Sequence, residues 1–93
     1  MSLGLELQSP GSTRGYSIDW RDLFGEGVVN GSAWTISPQS GGVPSVSDAG
    51  YAAGIALCRV SGLTERGLYE VTSRVTLGGV IEERSFTLRG GAQ

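Results

Sequence analysis

Residues 68–88 read LYEVTSRVTLGGVIEERSFTL, and this stretch decides the fold. From Tyr69 to Leu77 apolar and small residues alternate with polar ones, which is the pattern of a strand with one buried face. Gly78-Gly79 then supplies a two-residue turn, because glycine adopts positive φ at little cost. The second half returns as another strand, so the stretch predicts an antiparallel hairpin.

The simplest register of this hairpin predicts which residues share its inner face. The expected pairs are Leu77–Val80, Val75–Glu82, Ser73–Arg84, Val71–Phe86 and Tyr69–Leu88. The last two pairs are favourable core contacts. The charged Glu82 and Arg84 are not. Either this face reaches solvent near the turn, or a bulge there turns Ile81 inward.

The rest of the chain predicts further strands and no convincing helix, since glycines are frequent and no window has a 3.6-residue period. The candidate strands are residues 16–20, residues 28–37 with a bulge near Asn30-Gly31, a short strand around Val43 and Val46, and residues 53–60. Residues 53–60 are apolar on both faces, so this strand is either covered on both sides or meets a partner. Short strands spaced by turn signals predict an all-β, antiparallel β-sandwich, with a small open β-barrel as the alternative.

The segment Gly67-Leu-Tyr-Glu-Val71 adds a second indication of fold class. A tyrosine that follows a glycine turn and precedes an inward strand residue by two positions resembles the tyrosine corner of immunoglobulin-like domains. The sandwich is therefore expected to be Ig-like, with the Tyr69 hydroxyl bonded to nearby backbone. The expected core members are Trp34, as the core tryptophan, together with Tyr69, Val71 and Phe86.

The chain has 93 residues, which suits one small domain. Residues 16–89 are predicted to form a single β-sandwich domain, and residues 90–93 a C-terminal tail. Residues 1–15 are predicted to be a flexible N-terminal arm, in which Met1 to Leu3 are compatible with a cloning remnant. The alternation of Leu3, Leu5 and Leu7 leaves one other interpretation, a short edge strand in this sheet or a neighbour's.

The composition excludes several classes of function. The chain has no histidine, no lysine and one cysteine. It therefore lacks the residues for a histidine-based triad, a histidine metal ligand, a lysine Schiff base or an intrachain disulfide. A net charge of −2 argues against a nucleic-acid partner, and no apolar stretch is long enough for a membrane helix. Cys58 is expected to be a buried, reduced thiol.

No motif in the sequence predicts a reactive site. Gly25-x-Gly27 faintly resembles a dinucleotide loop, but a strand signal follows it where a helix is needed. Asp19, Asp22 and Glu26 match no known cation-binding loop and are interpreted as a solvated acidic segment. Glu82 and Glu83 are neighbours on a strand and point to opposite faces, so they cannot form an acid/base pair. We therefore predict no catalytic, cofactor-binding or metal-binding residues and no small-molecule substrate.

Three segments together resemble a known family. These are the YSIDW segment at 16–20, the strand at 28–37 that ends in WTISP, and the hairpin from Gly67 to Leu88 with its ERSF segment. This layout is similar to small structural proteins of tailed phages and prophages, of the fibre–tail adaptor or neck/tail type. The resemblance implies an Ig-like sandwich with no enzymatic activity and no cofactor.

The same resemblance implies where and with what the protein works. Its expected partners are other virion proteins of the tail, neck or fibre, and it can also form homo-oligomers. Neither nucleic acid nor membrane is an expected partner. The expected location is the bacterial cytoplasm during assembly and the virion afterwards.

One other class of function stays open at this stage. An Ig-like carbohydrate-binding or adhesion module would use exposed aromatic rings to stack on sugars. Tyr16, Trp20 and Tyr51 are the candidates for that role. A small hydrolase is the least favoured hypothesis, since the sequence shows no pair of groups placed for acid/base chemistry.

Overall fold

A computed structural model of the chain describes residues 2–40 and 44–91, and the side chains of residues 4–39 and 44–91. Seven strands and one helical turn follow in order: β1 (Ser2–Gln8), β2 (Arg14–Asp19), α1 (Arg21–Phe24), β3 (Gly31–Ser40), β4 (Ser45–Ala52), β5 (Ile55–Ser61), β6 (Leu68–Leu77) and β7 (Val80–Gly90). Of the short strand predicted around Val43 and Val46, Val46 lies in β4, and Val43 lies outside the described residues.

The strands form two sheets, in the orders β1-β7-β6-β3 and β2-β5-β4. The predicted all-β sandwich is confirmed, and the two separate sheets rule out a closed barrel. Strands β2 to β7 are divided between the two sheets as in an immunoglobulin domain. In such a domain the second, fourth and fifth strands share one sheet, and the third, sixth and seventh strands share the other. Here β1 joins the second group and pairs in parallel with β7, while every other pair is antiparallel.

The hairpin of β6 and β7 has the predicted register, from Tyr69 opposite Leu88 to Leu77 opposite Val80. The ladder shows no bulge, so the first of the two alternatives holds and the inner face reaches solvent near the turn. Ile81 does not turn inward and stays 51% exposed. The two-residue turn is at Gly78 and Gly79, both with positive φ.

The core lies between the two sheets. Tyr69, Val71 and Phe86 are buried in it, as predicted, but Trp34 is only partly buried. The completely buried tryptophan is Trp20, so the expectation for the core tryptophan was wrong. Trp34 lies on the edge strand β3 and has a neighbouring strand on one side only. Trp20 follows β2 directly and packs into the core. There its Nε1 donates a hydrogen bond to Ser73 Oγ, at 3.1 Å.

A tyrosine corner closes one end of the sandwich. The Tyr69 hydroxyl accepts a hydrogen bond from the backbone N–H of Thr64, at 2.8 Å, which confirms the prediction. A Cβ atom at Gly67 would overlap the Tyr69 side chain, and one at Gly90 would overlap the Thr64 carbonyl. Both positions therefore require glycine. We call residues 8–13, 61–69 and 88–91 the corner end.

The buried Gln8 fixes the position of β1 at the corner end. Its Nε2 donates to the carbonyl oxygens of Val60, at 2.8 Å, and Ser12, at 3.1 Å. Its Oε1 accepts a hydrogen bond from the Tyr16 hydroxyl, at 2.7 Å. A buried amide with these partners holds one register, because any slip would leave polar groups unpaired.

Residues 2–8 therefore form an edge strand in this domain's own sheet. This is the alternative interpretation of the segment, and these residues are not a flexible arm. Since Gln8 points inward, Leu5 and Leu7 point outward. Leu5 is 59% and Leu7 41% exposed. At the other terminus Gly90 belongs to β7 and is buried, whereas residues 92 and 93 of the predicted tail lie outside the described residues.

The start of β3 also differs from the prediction. The strand begins at Gly31 and not at Val28. Val28 lies in the preceding loop and is fully exposed. Asn30, where a bulge was expected, precedes the strand, and the register of β3 with β6 is regular from Gly31 to Pro38. It shifts instead between Pro38 and Ser40, where proline lacks the N–H that a ladder needs.

Candidate assembly surfaces

The segment that joins the two sheets after β2 is built around Trp20. The Trp20 carbonyl accepts hydrogen bonds from the N–H groups of Leu23 and Phe24, which closes the single turn α1. Phe24 packs on the Trp20 ring with a centroid distance of 5.6 Å. Leu23 is on the other side of the turn and remains 53% exposed. Of these two side chains, only Phe24 packs against the core.

Arg84 covers the same tryptophan from β7. Its guanidinium lies 4.5 Å from the Trp20 ring centroid and donates a hydrogen bond to the carbonyl of Asp19, at 2.7 Å. It also forms two hydrogen bonds with the Asp22 carboxylate. These contacts explain the arginine on the inner face of β7, since its guanidinium stacks over a buried ring and is bonded to a carbonyl and a carboxylate.

Two acidic side chains of this segment are held by arginines. The hydrogen bond from Arg21 lowers the pKa of Asp19 to about 2. The hydrogen bond from Arg84 lowers the pKa of Asp22 from its usual value. Glu26, the third acid considered, makes neither contact and lies apart in the loop. The structure thus does not gather these carboxylates into one site, and the described residues contain no group of three or more potential metal ligands.

Two glycine turns lock the segment against the strands next to it. The carbonyl of Gly54 accepts a hydrogen bond from the Trp20 N–H, at 2.8 Å, and a Cβ at Gly54 would overlap Arg21 and the Gly25 carbonyl. On the other side Asn30 Oδ1 accepts a hydrogen bond from the Gly78 N–H, at 2.6 Å. The loop of residues 20–30 is therefore tied to both turns at this end of the sandwich.

We call residues 19–31, 50–55 and 74–84 the loop end. It carries four of the large apolar side chains that the described residues expose, which are Leu23, Val28, Val80 and Ile81. Val28 is 92% exposed. Val80 and Ile81 point to opposite faces of β7, so the four side chains share one end of the sandwich and not one face. Exposed apolar groups at one end of a domain are suited to binding another protein.

A cleft of about 360 Å³ opens at the loop end between the 20–30 loop and the end of β4. Its walls are largely backbone and small or apolar residues, with Val28, Val29 and Tyr51 as the larger side chains and Glu26 as its carboxylate. The Tyr51 hydroxyl is buried and has no hydrogen-bond partner among the described residues. The cleft is open and shallow enough to receive a side chain from a second protein.

The aromatic residues considered for sugar stacking do not form an exposed platform. Trp20 is completely buried. Tyr16 is held by its hydrogen bond to Gln8 and packs on Phe86, with ring centroids 5.1 Å apart. Tyr51 is partly buried against the core. The carbohydrate-binding alternative therefore loses the feature that motivated it.

The outer face of β5 and the lone cysteine on its inner face have the expected environments. Cys58 is buried, and burial raises the pKa of its thiol to about 11, so it remains protonated at neutral pH. Leu57, on the opposite face, is 46% exposed. Of the two interpretations of this apolar strand, the structure has the exposed outer face. Leu57 on one sheet and Leu5 and Leu7 on the other are the large apolar side chains that the described residues expose outside the loop end.

The sequence contained one signal for the loop end that the strand patterns do not explain. Val28 directly follows Gly27, and Val80 and Ile81 follow the Gly78-Gly79 turn, so these large apolar residues lie near turns where the strands do not bury them. No helix in the described part of the chain is long and apolar enough to cross a membrane.

A comparison with protein families finds one match that spans most of the chain. The family model described as podophage GP4 fiber-tail adaptor protein gp77 matches residues 8–89, from the buried Gln8 to the end of β7. No curated protein and no solved structure matches the chain.

Proposed function

Because the chain belongs to the podophage GP4 fiber-tail adaptor family gp77, we propose that it joins fibre to tail through contacts with other virion proteins and catalyses no reaction. As a member of this family it is a structural tail protein of a tailed phage. The family match over residues 8–89 is the observation that carries the proposal.

The structure supports a role in protein contacts in two ways. The loop end exposes apolar side chains on loops that are tied down at both sides, and β1 exposes two leucines that its buried glutamine keeps pointing outward. Surfaces of this kind are suited to stable association. Binding of a partner buries their apolar area, and the loops lose little conformational freedom because they are already ordered. The tail or fibre proteins of the same virion are the partners we propose, and homo-oligomers can form through the exposed leucines of β1.

The remaining parts of the proposal concern what the protein does not need. We propose that it assembles in the host cytoplasm and binds neither nucleic acid, membrane nor a small-molecule substrate. The net charge of −2 supports the proposal that the chain does not bind nucleic acid, because contacts with phosphates need a positively charged surface.

Deletion of the gene from a phage or inducible prophage that carries it tests the proposal. We expect capsids to form and fill normally, while the tails are defective, detached or without fibres by electron microscopy. A plasmid copy of the gene should restore infectious particles. Fully infectious particles from the deletion strain would refute the virion role.

A further inference from the structure

We propose that the loop end is the surface through which this adaptor grips a segment of another virion protein, one in which apolar side chains are flanked by arginine or lysine. The inference rests on the proposed function, because it names the chemistry of the partner that function requires.

The exposed apolar side chains of the loop end lie on segments that hydrogen bonds hold in place. Leu23, Val28 and Ile81 are each more than half exposed, yet the segments that carry them are held by backbone contacts. Asn30 binds the turn at Gly78, and Trp20 binds the turn at Gly54. A partner that covers these side chains removes apolar surface from water without first having to order a loop.

The loop end contains five carboxylates and three guanidinium groups, whereas the rest of the chain contains four of each. The whole net charge of −2 therefore lies at this end. Two copies joined through their loop ends would bring like charges together, which disfavours a second copy as the occupant. A partner with basic residues around an apolar centre has the complementary pattern.

Glu26 lies in the wall of the cleft beside Val28 and Val29, and no ion pair or hydrogen bond holds the Glu26 carboxylate within the described residues. An arginine or lysine packs its aliphatic stem on apolar surface while its charged head reaches a carboxylate. The cleft, at about 360 Å³, has room for such a side chain.

Complementation of the deletion strain by matched variants tests the inference. Glu26→Arg reverses the charge at the cleft, and Val28→Asp places a charge at its apolar rim. Glu65→Arg makes the same reversal as the first variant at an exposed position of the corner end. We expect the first two variants to lower the titre of infectious particles at least tenfold relative to wild type, and Glu65→Arg to restore it fully. All three positions are exposed, so the thermal unfolding temperatures of the purified variants should match that of wild type.

Suppressors of Glu26→Arg identify the chemistry of the partner. We expect revertant phages to carry a change of arginine or lysine to a neutral or acidic residue in another virion gene. If all three variants restore the defective deletion strain, the inference is wrong and the proposed function stands. If the deletion strain is itself infectious, the proposed function fails.

Sedimentation of the purified chain tests the competing occupant. We expect the chain not to associate through the loop end, so that Glu26→Arg leaves its sedimentation unchanged. A dimer that dissociates in Glu26→Arg and in Val28→Asp would show that a second copy occupies this surface, and would overturn the inference.

Discussion

The two ends of the sandwich are organised in opposite ways. At the corner end polar groups are buried and bonded, as with Gln8 and the Tyr69 hydroxyl, and glycines allow backbone and ring to touch. At the loop end apolar side chains are exposed, and the buried Tyr51 hydroxyl has no hydrogen-bond partner in the part of the chain that the structure describes. The contacts of the corner end thus stabilise the fold, whereas the loop end leaves apolar surface accessible to other molecules.

The largest expected effect separates the glycines of the two ends. In Gly90→Ala the new methyl group would overlap the Thr64 carbonyl, whereas in Gly27→Ala it would meet no atom. We expect Gly90→Ala to lower the free energy of unfolding by about 3 kcal/mol. Gly27→Ala should leave it unchanged or raise it by up to about 1 kcal/mol. Urea denaturation measures both, and equal losses would break the comparison between the ends.

The two buried tyrosine hydroxyls give a second contrast. Tyr69→Phe leaves the Thr64 N–H without its partner, and we expect a loss of about 1–3 kcal/mol in the free energy of unfolding. Tyr51→Phe removes a hydroxyl that has no hydrogen-bond partner among residues 4–39 and 44–91. It should therefore be neutral or stabilise the fold. A Tyr69→Phe variant as stable as wild type would count against the tyrosine corner.

Arg84 tests whether the loop end has any structural anchor of its own. In Arg84→Ala the Trp20 ring loses its cover and the Asp19 carbonyl loses a donor. We expect the free energy of unfolding to fall by about 1–2 kcal/mol. Arg74, on the same hairpin, is exposed, so Arg74→Ala should change this energy by less than about 0.5 kcal/mol. Similar values for the two variants would show that Arg84 does not hold Trp20 in place.

The smallest effect is the pH dependence of Asp19. Its pKa in the folded chain is about 2, chiefly because Arg21 donates hydrogen bonds to its carboxylate, while the ordinary value is 3.8. Because the Asp19 pKa is lower in the folded chain than in the unfolded one, ionised Asp19 stabilises the fold at any pH above its ordinary pKa. This contribution is lost as the pH falls from about 4 through 2. NMR titration of the carboxyl carbon should have its midpoint near 2. The midpoint should rise in Arg21→Gln, and an unchanged midpoint would exclude this cause.

The sequence predicted those parts of the fold that local patterns determine. Alternation and a two-glycine turn are enough to define the β6–β7 hairpin, and the tyrosine before Val71 is enough to define the corner. The N-terminal strand was harder to assign because its apolar residues, Leu5 and Leu7, point away from the core. Its position depends on the contact of Gln8 with residues far along the chain, which no local pattern contains.

The core tryptophan and the loop end could not be read from local patterns for a related reason. Trp20 follows β2 and Trp34 lies on β3, and both are edge strands, so the strand order does not distinguish the two tryptophans. Trp20 is buried because Phe24, Ser73 and Arg84 contact it, and the strand pattern does not contain these contacts. The exposure of Val28 depends on where β3 begins. Arg84 conflicts with a buried face in the strand pattern, because that pattern does not show that Trp20 supplies the ring and Asp22 the acid that Arg84 contacts.

The parallel pairing of the first and last strands has a mechanical consequence. Because β1 and β7 run in the same direction, a pull between Ser2 and Gly90 drags the two strands lengthwise past each other. Their inter-strand hydrogen bonds then bear the tension together, whereas a hairpin pulled at its open end loses its bonds one at a time. The buried amide of Gln8 adds resistance to that sliding at the corner end. A protein that connects two parts of a particle is under such tension whenever one part is held and the other moves, and this strand order opposes it.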